Sequence, residues 1–310
     1  MDITPIAIFA FNRPEHLRRM LLSLDQSMPA TNRYEFWFFI DGPRFEDERK
    51  LVSETIAVAQ SWSSGRTSFI VPSLTNKGLA ASVRQGITQV LKEYESVIVL
   101  EDDLILQSGC IQYLSWGLRL FKMDNRVASV QAYSYPLNLE SELPYFMRGA
   151  GSWGWATWAD RWQRARWDSE EILADLRCRS LIKELDFDGK YFYSAMLKEQ
   201  IEGKIDSWAV PFYCDTFAKG LLSVYPSKSL VINGGMDGSG THEGEGLAKK
   251  FNSSEGKFSV PNVELVVEES LAARRELTKF FAHAFGLRNR LGRLTLRLLK
   301  LVGFDLAGSA

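Results

Sequence analysis

Short apolar runs alternate with amphipathic stretches through the first hundred residues, the order in which helices join the strands of a parallel sheet. Ile6 to Ala10 reads as a first strand, closed by the Asn12-Arg13-Pro14 turn. Glu15 to Leu24 follows as a helix, with Leu17, Met20, Leu21 and Leu24 at helical spacing. Phe36 to Ile40 is a second strand, stopped by Asp41-Gly42-Pro43 so that a carboxylate stands at its carboxyl end. A third strand, Ser68 to Val71, leads through Asn76-Lys77-Gly78 into a helix from Leu79 to Tyr94 whose Leu79, Val83, Ile87, Val90 and Leu91 share one side. Val97 to Leu100 is apolar on both faces, as a strand in the middle of a sheet must be, and it ends abruptly in Glu101-Asp102-Asp103. In open α/β sheets ligands gather beside the carboxyl ends of strands, so Asp41 and the acidic trio mark the first place to look for chemistry.

The second half is patterned differently. Gly149-Ala150-Gly151 predicts a loop carrying Trp153 and Trp155, and Thr157 to Arg166 predicts a helix with Trp158 and Trp162 four residues apart on a core face. Helical spacing continues over Ser169 to Glu184, Tyr191 to Glu202 and Ile205 to Gly220, with a strand over Leu222 to Tyr225. A glycine-rich loop from Asn233 to Gly246 carries Asp237 and His242. Beyond it, Leu271 to Gly303 is basic and amphipathic: Phe280, Ala284, Leu287, Leu291, Leu294, Leu298 and Leu301 recur at intervals of four and three beside Arg290, Arg293, Arg297 and Lys300. Such a segment either lies on an anionic membrane surface or packs on the body of the protein. The chain therefore divides into one domain over residues 1–262, with halves 1–107 and 108–262, and a basic helical tail over 263–310.

Composition narrows the picture. At 310 residues and 45% hydrophobic content the chain can bury a large core. Its 37 basic and 38 acidic residues leave a net charge of -1, without the polybasic character that nucleic-acid binding needs. The three cysteines, Cys110, Cys178 and Cys214, are far apart and lack CxxC spacing, which argues against a zinc site and for a reducing compartment. The first residues run straight into a strand, with neither a basic leader nor a long apolar stretch, so a cytoplasmic location is expected, at the inner face of the membrane if the tail binds lipid.

Three adjacent carboxylates delivered by a buried strand repel one another and need a compensating charge. A hard divalent cation, Mn2+ or Mg2+, is the natural one, with Asp103 as its direct ligand, Asp102 turned to a ribose or a metal-bound water, and Glu101 turned to a sugar or an outer position. A helix cap is the structural alternative for the same run.

VIVLEDDLIL, with Gly109 to Phe121 behind it, resembles the corresponding region of the N-acetylglucosaminyltransferase I family and related bacterial GT-A glycosyltransferases. The likeness covers about residues 4–250. It implies a GT-A type, Rossmann-like, mostly parallel sheet flanked by helices, and a nucleotide-sugar donor held across its strand ends. By the same resemblance Arg13 would meet the diphosphate and Asp41 the uracil. Asn76-Lys77-Gly78-Leu79-Ala80-Ala81-Ser82-Val83-Arg84 is similar to the NxGxxxxxR segment near the base, which brings in Asn76, Gly78 and Arg84.

An inverting transfer also needs a carboxylate to take the proton from the acceptor hydroxyl. Asp206-Ser207-Trp208 resembles the acidic and aromatic segment that holds the base in that family, although a doubled Asp there is Asp-Ser here. Asp206 is the candidate, with Asp160 and Asp215 as substitutes. His242 can bind phosphate or metal from its glycine-rich loop. Trp153, Trp155 and Trp208 are candidates for stacking on a saccharide or lipid-linked acceptor, or else for packing in the core. The expectation is thus a metal-dependent, inverting sugar transferase of surface polysaccharide or glycan synthesis. A nucleotidyltransferase would want a glycine-rich, basic loop after the first strand, where FAFNRPEHL stands; a non-catalytic carbohydrate-binding protein would leave the acidic trio unexplained.

Overall fold

A computed structural model describes residues 3–29, 33–236, 251 and 256–285. In chain order its elements are β1 (Thr4–Ala10), α1 (Pro14–Ser27), β2 (Tyr34–Ile40), α2 (Arg49–Ser63), β3 (Ser68–Pro72), α3 (Leu79–Val90), β4 (Ser96–Glu101), β5 (Leu104–Leu106), α4 (Cys110–Leu120), β6 (Val127–Gln131), β7 (Tyr145–Arg148), β8 (Trp155–Trp158) and α5 (Ala159–Gln163). Then follow α6 (Ser169–Cys178), α7 (Ile182–Leu185), α8 (Tyr193–Ile201), α9 (Ala209–Ala218), β9 (Leu222–Tyr225), β10 (Val231–Asn233) and a last helix, α10, over residues 271–285.

Eight strands form one sheet in the order β3-β2-β1-β4-β8-β6-β9-β7, and β5 pairs with β10 in a small second sheet. The first four are parallel neighbours. Beyond β4 the sheet is mixed, with β8 antiparallel between β4 and β6 and with β6 and β9 parallel. The expected α/β architecture, a Rossmann-like sheet flanked by helices, is present. Alternation along the parallel strands feeds two cores. Ile6 and Ile8 face Leu17, Met20 and Leu24 of α1, whereas Ala7 and Phe9 face Val83 and Ile87 of α3. Each such fully buried aliphatic or aromatic side chain stabilises the fold by roughly 1.5–3 kcal/mol. α3 lies close because Gly86 carries no side chain: a Cβ there would come within 2.6 Å of the Phe9 ring. α3 ends at Val90 rather than Tyr94, and Leu79 at its start is half exposed instead of joining the apolar side.

The tryptophan-rich stretch departs most from expectation. Trp155 to Trp158 is not the end of a loop and the start of a helix but a strand, buried along its whole length, and helix α5 begins only at Ala159. Aromatic and β-branched residues suit that central position, where Thr157 Oγ1 donates to the Ala128 carbonyl and the Trp158 indole N–H to that of Leu118. The helix expected over Ser169 to Glu184 is split into α6 and α7, between which Ser180 adopts a φ of +57°. The helix expected from Ile205 is confined to Ala209–Ala218.

The segment after residue 262, read as a separate tail, begins on the body of the protein. Ser270 N–H donates to the Phe146 carbonyl, and Ala273, Leu277 and Phe281 of α10 are buried beside Tyr145, Phe187 and Tyr225. Arg148 ties this join to Glu269 at 2.8 Å and also pairs with Glu184. The later part of the basic repeat, from Leu287 to Leu301, and with it the expected anionic membrane contact, lies outside the described residues. Among the described residues no helix is long and apolar enough to cross a membrane.

Candidate functional site

Glu101 pairs with Phe9 across the parallel β1–β4 ladder, so the acidic trio emerges beside the turn that follows β1. Asp102 N–H donates to the Phe9 carbonyl, and Phe11 N–H donates to Asp102 Oδ2 at 3.4 Å. Arg13 reaches across from that turn: its Nη2 lies 2.5 Å from Asp102 Oδ1 and 3.2 Å from Asp103 Oδ2. The compensating charge expected for the trio is thus supplied in part by the chain itself. Arg13, expected on a diphosphate, is here engaged with carboxylates.

One guanidinium does not balance three acids. Burial pushes the Glu101 carboxyl up to about 8, reinforced by the charges of Asp103 and Asp102. Burial likewise raises Asp102 to about 6 against the opposing pull of Arg13. A bound cation would draw both down.

Asp103 is packed on its far side by the chain that follows β10. Gly234 N–H donates to the Asp103 carbonyl at 2.7 Å, and Gly235 N–H to Asn233 Oδ1 at 2.8 Å. A Cβ at Gly235 would overlap the Asp103 carboxylate, so only glycine leaves room for it. The Gly234-Gly235 pair after an apolar run was the available sequence signal for this cradle.

Among the described residues no group of three or more His, Cys, Asp or Glu side chains converges to hold a metal. The donor set nevertheless suits a hard cation held by one or two carboxylates and completed by a ligand's own oxygens. Arg13 puts a positive charge beside Asp102 and Asp103, and the Gly235 backbone limits where the Asp103 carboxylate can lie. His242, the other expected metal ligand, lies outside the described residues, as does Asp237.

Asp41, at the end of β2, is 7% exposed and committed to the backbone. Its Oδ1 accepts from Gly42 N–H and Lys77 N–H, both at 2.9 Å, and its Oδ2 from Gly78 N–H at 3.0 Å. Asn76 completes the knot, donating from Nδ2 to the Gly42 carbonyl at 2.8 Å while its Oδ1 accepts from Gly78 N–H at 3.2 Å. These residues therefore fix the loops after β2 and before α3, and Asp41, expected on the uracil, accepts from three backbone N–H groups of those loops. Gly78, at φ +79°, starts α3.

A Cβ on Gly78 would lie 2.9 Å from Asp206 Oδ2, so the exposed Asp206 approaches the donor half at the N-terminus of α3. Arg84 does not join this group; its guanidinium stacks over Trp167 at 4.6 Å.

The tryptophans divide. Trp155 and Trp208 are 0% and 2% exposed and stack on each other at 5.1 Å, with Phe212 against both. Rings so enclosed cannot meet an acceptor, and their expected acceptor role is corrected to core packing. Trp153 is only half-buried, packed against Tyr133 at 4.6 Å and Phe251 at 5.9 Å. Of the substitutes for Asp206, Asp215 is buried and ion-paired with Arg166 and Lys219, and Asp160 is held by Arg161 and Arg164.

No family model matches the chain, and no curated protein matches it. Among solved structures it is similar to TarS of S. aureus. A structure of TarS 1–349 aligns over 74% of this chain and 60% of that one, at 12% identity and a TM-score of 0.42. TarS 1–349 in complex with UDP aligns over 46% and 39%, and a further TarS structure over 46% and 24%, both at 12% identity and a TM-score of 0.34. This chain thus spans 24% to 60% of the lengths of those structures. At such loose superposition the chemistry has to be judged from the residues of this chain.

Proposed function

We propose that this protein is a metal-dependent, inverting glycosyltransferase that moves a sugar from a nucleotide-sugar donor, a UDP-sugar first among candidates, to a saccharide or lipid-linked acceptor. The observation that carries the reading is the acidic trio at the carboxyl end of β4, where among the described residues Arg13 is ion-paired with two of the three carboxylates. Asp103 would hold Mn2+ or Mg2+, with Asp102 behind it toward the ribose or a metal-bound water; when bound, the cation would neutralise the charge that develops on the leaving diphosphate. Arg13 supplies donors for the same phosphates, and the Asp41–Asn76–Gly78 knot fixes the loops against which the nucleoside would rest. Glu101 would turn to the sugar or to an outer position.

Asp206 is exposed at the start of α3, where an acceptor can approach. As the acceptor oxygen bonds to the anomeric carbon and the bond to the diphosphate breaks, Asp206 would take the hydroxyl proton. Trp153, alone of the three tryptophan candidates, keeps exposed surface for an acceptor. A non-catalytic carbohydrate-binding protein is disfavoured because Trp155 and Trp208 belong to the core.

The test is a binding and donor-hydrolysis screen across nucleotide sugars, with and without Mn2+, on the native protein and on Asp206→Asn. Metal-dependent binding of at least one donor is expected in both, with transfer by the variant lowered about 10²–10⁴-fold. Absence of metal-dependent binding to every donor would sink the reading; undiminished transfer by Asp206→Asn would remove that residue from the base role.

A further inference from the structure

Charge is distributed unevenly along this chain. Six of its 37 Lys and Arg residues but only one of its 38 Asp and Glu residues follow Glu276, which leaves a net charge of -6 on the first 276 residues and +5 on the last 34. From Leu277 to Phe304 the sequence has no acid. Such a segregation becomes a surface only where the fold turns the basic positions outward, and α10 does so. Its apolar side is packed on the body of the protein, where Ala273, Leu277 and Phe281 are buried. Arg274 is turned inward as well, lying over the Phe187 ring and donating to the Glu184 carbonyl. The opposite side carries Leu271, Arg275, Lys279 and His283, each four residues from the next and all exposed. The helix has a single acid, Glu276, which is partly sheltered and pairs with Lys279 at 2.7 Å.

The sequence keeps this phase. Arg290, Arg293, Arg297 and Lys300 follow Lys279 by 11, 14, 18 and 21 residues, each close to a whole number of helical turns. The segment beside α10 adds aromatic surface. Tyr191 stacks on Phe281 at 4.3 Å and meets Phe285 at 5.4 Å, and its two neighbours, Lys190 and Phe192, are exposed. A ring with a lysine next to it suits the headgroup level of a bilayer, where the ring finds a half-apolar layer and the ammonium finds phosphate. Because α10 has its apolar side on the protein, contact along it is made by charge, and each Lys or Arg held near an anionic membrane strengthens binding about fivefold. A nucleic-acid duplex offers the same phosphates but no apolar layer for Phe192.

We propose that the outer side of α10 and residues 190–192 form a face that seats this protein on an anionic bilayer, with Arg275, Lys279 and Lys190 at the lipid phosphates and Phe192 beside them. The seating goes beyond the glycosyltransferase reading and does not depend on it.

Co-sedimentation of the full chain with vesicles tests it, using phosphatidylcholine alone and phosphatidylcholine mixed with about one third phosphatidylglycerol. Binding to the anionic vesicles is expected to be at least about tenfold tighter than to the neutral ones at about 0.1 M salt, and to weaken at least about fivefold at about 0.5 M. The double variant Arg275→Gln, Lys279→Gln should bind the anionic vesicles about 20- to 30-fold more weakly. Should that variant fail to fold by circular dichroism, the native protein decides. Anionic vesicles should then protect Lys190 and Lys279 from amine acetylation while Lys50, exposed on α2, is labelled as before, and equal labelling of all three overturns the proposal. Equal binding to neutral and anionic vesicles, anionic binding unchanged in the folded double variant, or binding of duplex DNA without binding of vesicles overturns it too. Donor binding is read separately by the nucleotide-sugar screen, so either reading can fail while the other stands.

Discussion

Among the described residues, the buried carboxylates Asp102 and Asp215 are both held by arginine, and the clusters around them are balanced differently. Asp215 in α9 is 1% exposed, and it is fully answered: Arg166 Nε at 2.6 Å, Lys219 Nζ at 2.6 Å and the Arg166 backbone N–H at 2.9 Å. The same guanidinium also reaches Asp175 at 2.8 Å. There, two cations serve two carboxylates, with the exposed Glu171 at the margin. At the end of β4, among the described residues, Arg13 is ion-paired with two of three adjacent carboxylates. Burial is expensive in both places, but among the described residues only the second holds more carboxylates than cations. A protein that carries such an imbalance gives up stability, and a binding event is what makes that imbalance useful.

The largest expected effect comes from the unbalanced cluster and appears in catalysis. Asp103→Asn should lower transfer about 10²–10³-fold, the loss typical of removing one group that stabilises developing charge. Its thermal midpoint should move by no more than about 2 °C, because the amide still fits beside Gly235. A collapse of the melt, with activity following the folded fraction, would make this cluster structural and end the contrast. The balanced cluster should respond the other way. Asp215→Asn strands two cations against a neutral amide, and a loss of roughly 3–5 kcal/mol is expected by denaturant titration. Turnover per folded molecule should be unchanged.

Sequence pattern reveals one cluster far better than the other. Glu101-Asp102-Asp103 stands out because a strand apolar on both faces delivers it, and the first four strands are legible for the same reason: compact apolar runs closed by Gly, Pro and Asn turns. Asp215 is a lone acid in an apolar helix, followed one turn later by Lys219, and its other partner, Arg166, lies on another segment of chain. The Arg13–Asp102 bond joins residues 89 apart, which become neighbours only because β1 and β4 do. Asp41 stands at a strand end, as the Gly42-Pro43 stop implies, but its bonds from the Lys77 and Gly78 N–H groups depend on how the later loop folds. β8 was misread because a strand buried on both sides shows no alternation, while Trp158 and Trp162 fall at helical spacing.

The smallest effect tests the idea of imbalance most directly. No side-chain hydrogen bond or ion pair of Glu101 is among those described, and burial, reinforced by the charges of Asp103 and Asp102, pushes its carboxyl up to about 8. For an acid whose pKa is raised on folding, the unfolded chain gives up its proton first. The cost to stability is therefore absent below the unfolded value, grows as pH rises, and is complete above about 8. Glu101→Gln keeps the shape and removes that cost. With chelator present to strip any cation, the variant should be more stable than the native protein by about 0.5–2 kcal/mol at pH 9, with the difference shrinking toward zero near pH 4. Added Mn2+ and UDP should shrink the gap at pH 9 as well, because the charge would then have its partner. A variant less stable than the native protein at every pH would mean that Glu101 is answered by its surroundings, and the distinction between the two clusters would reduce to one of location.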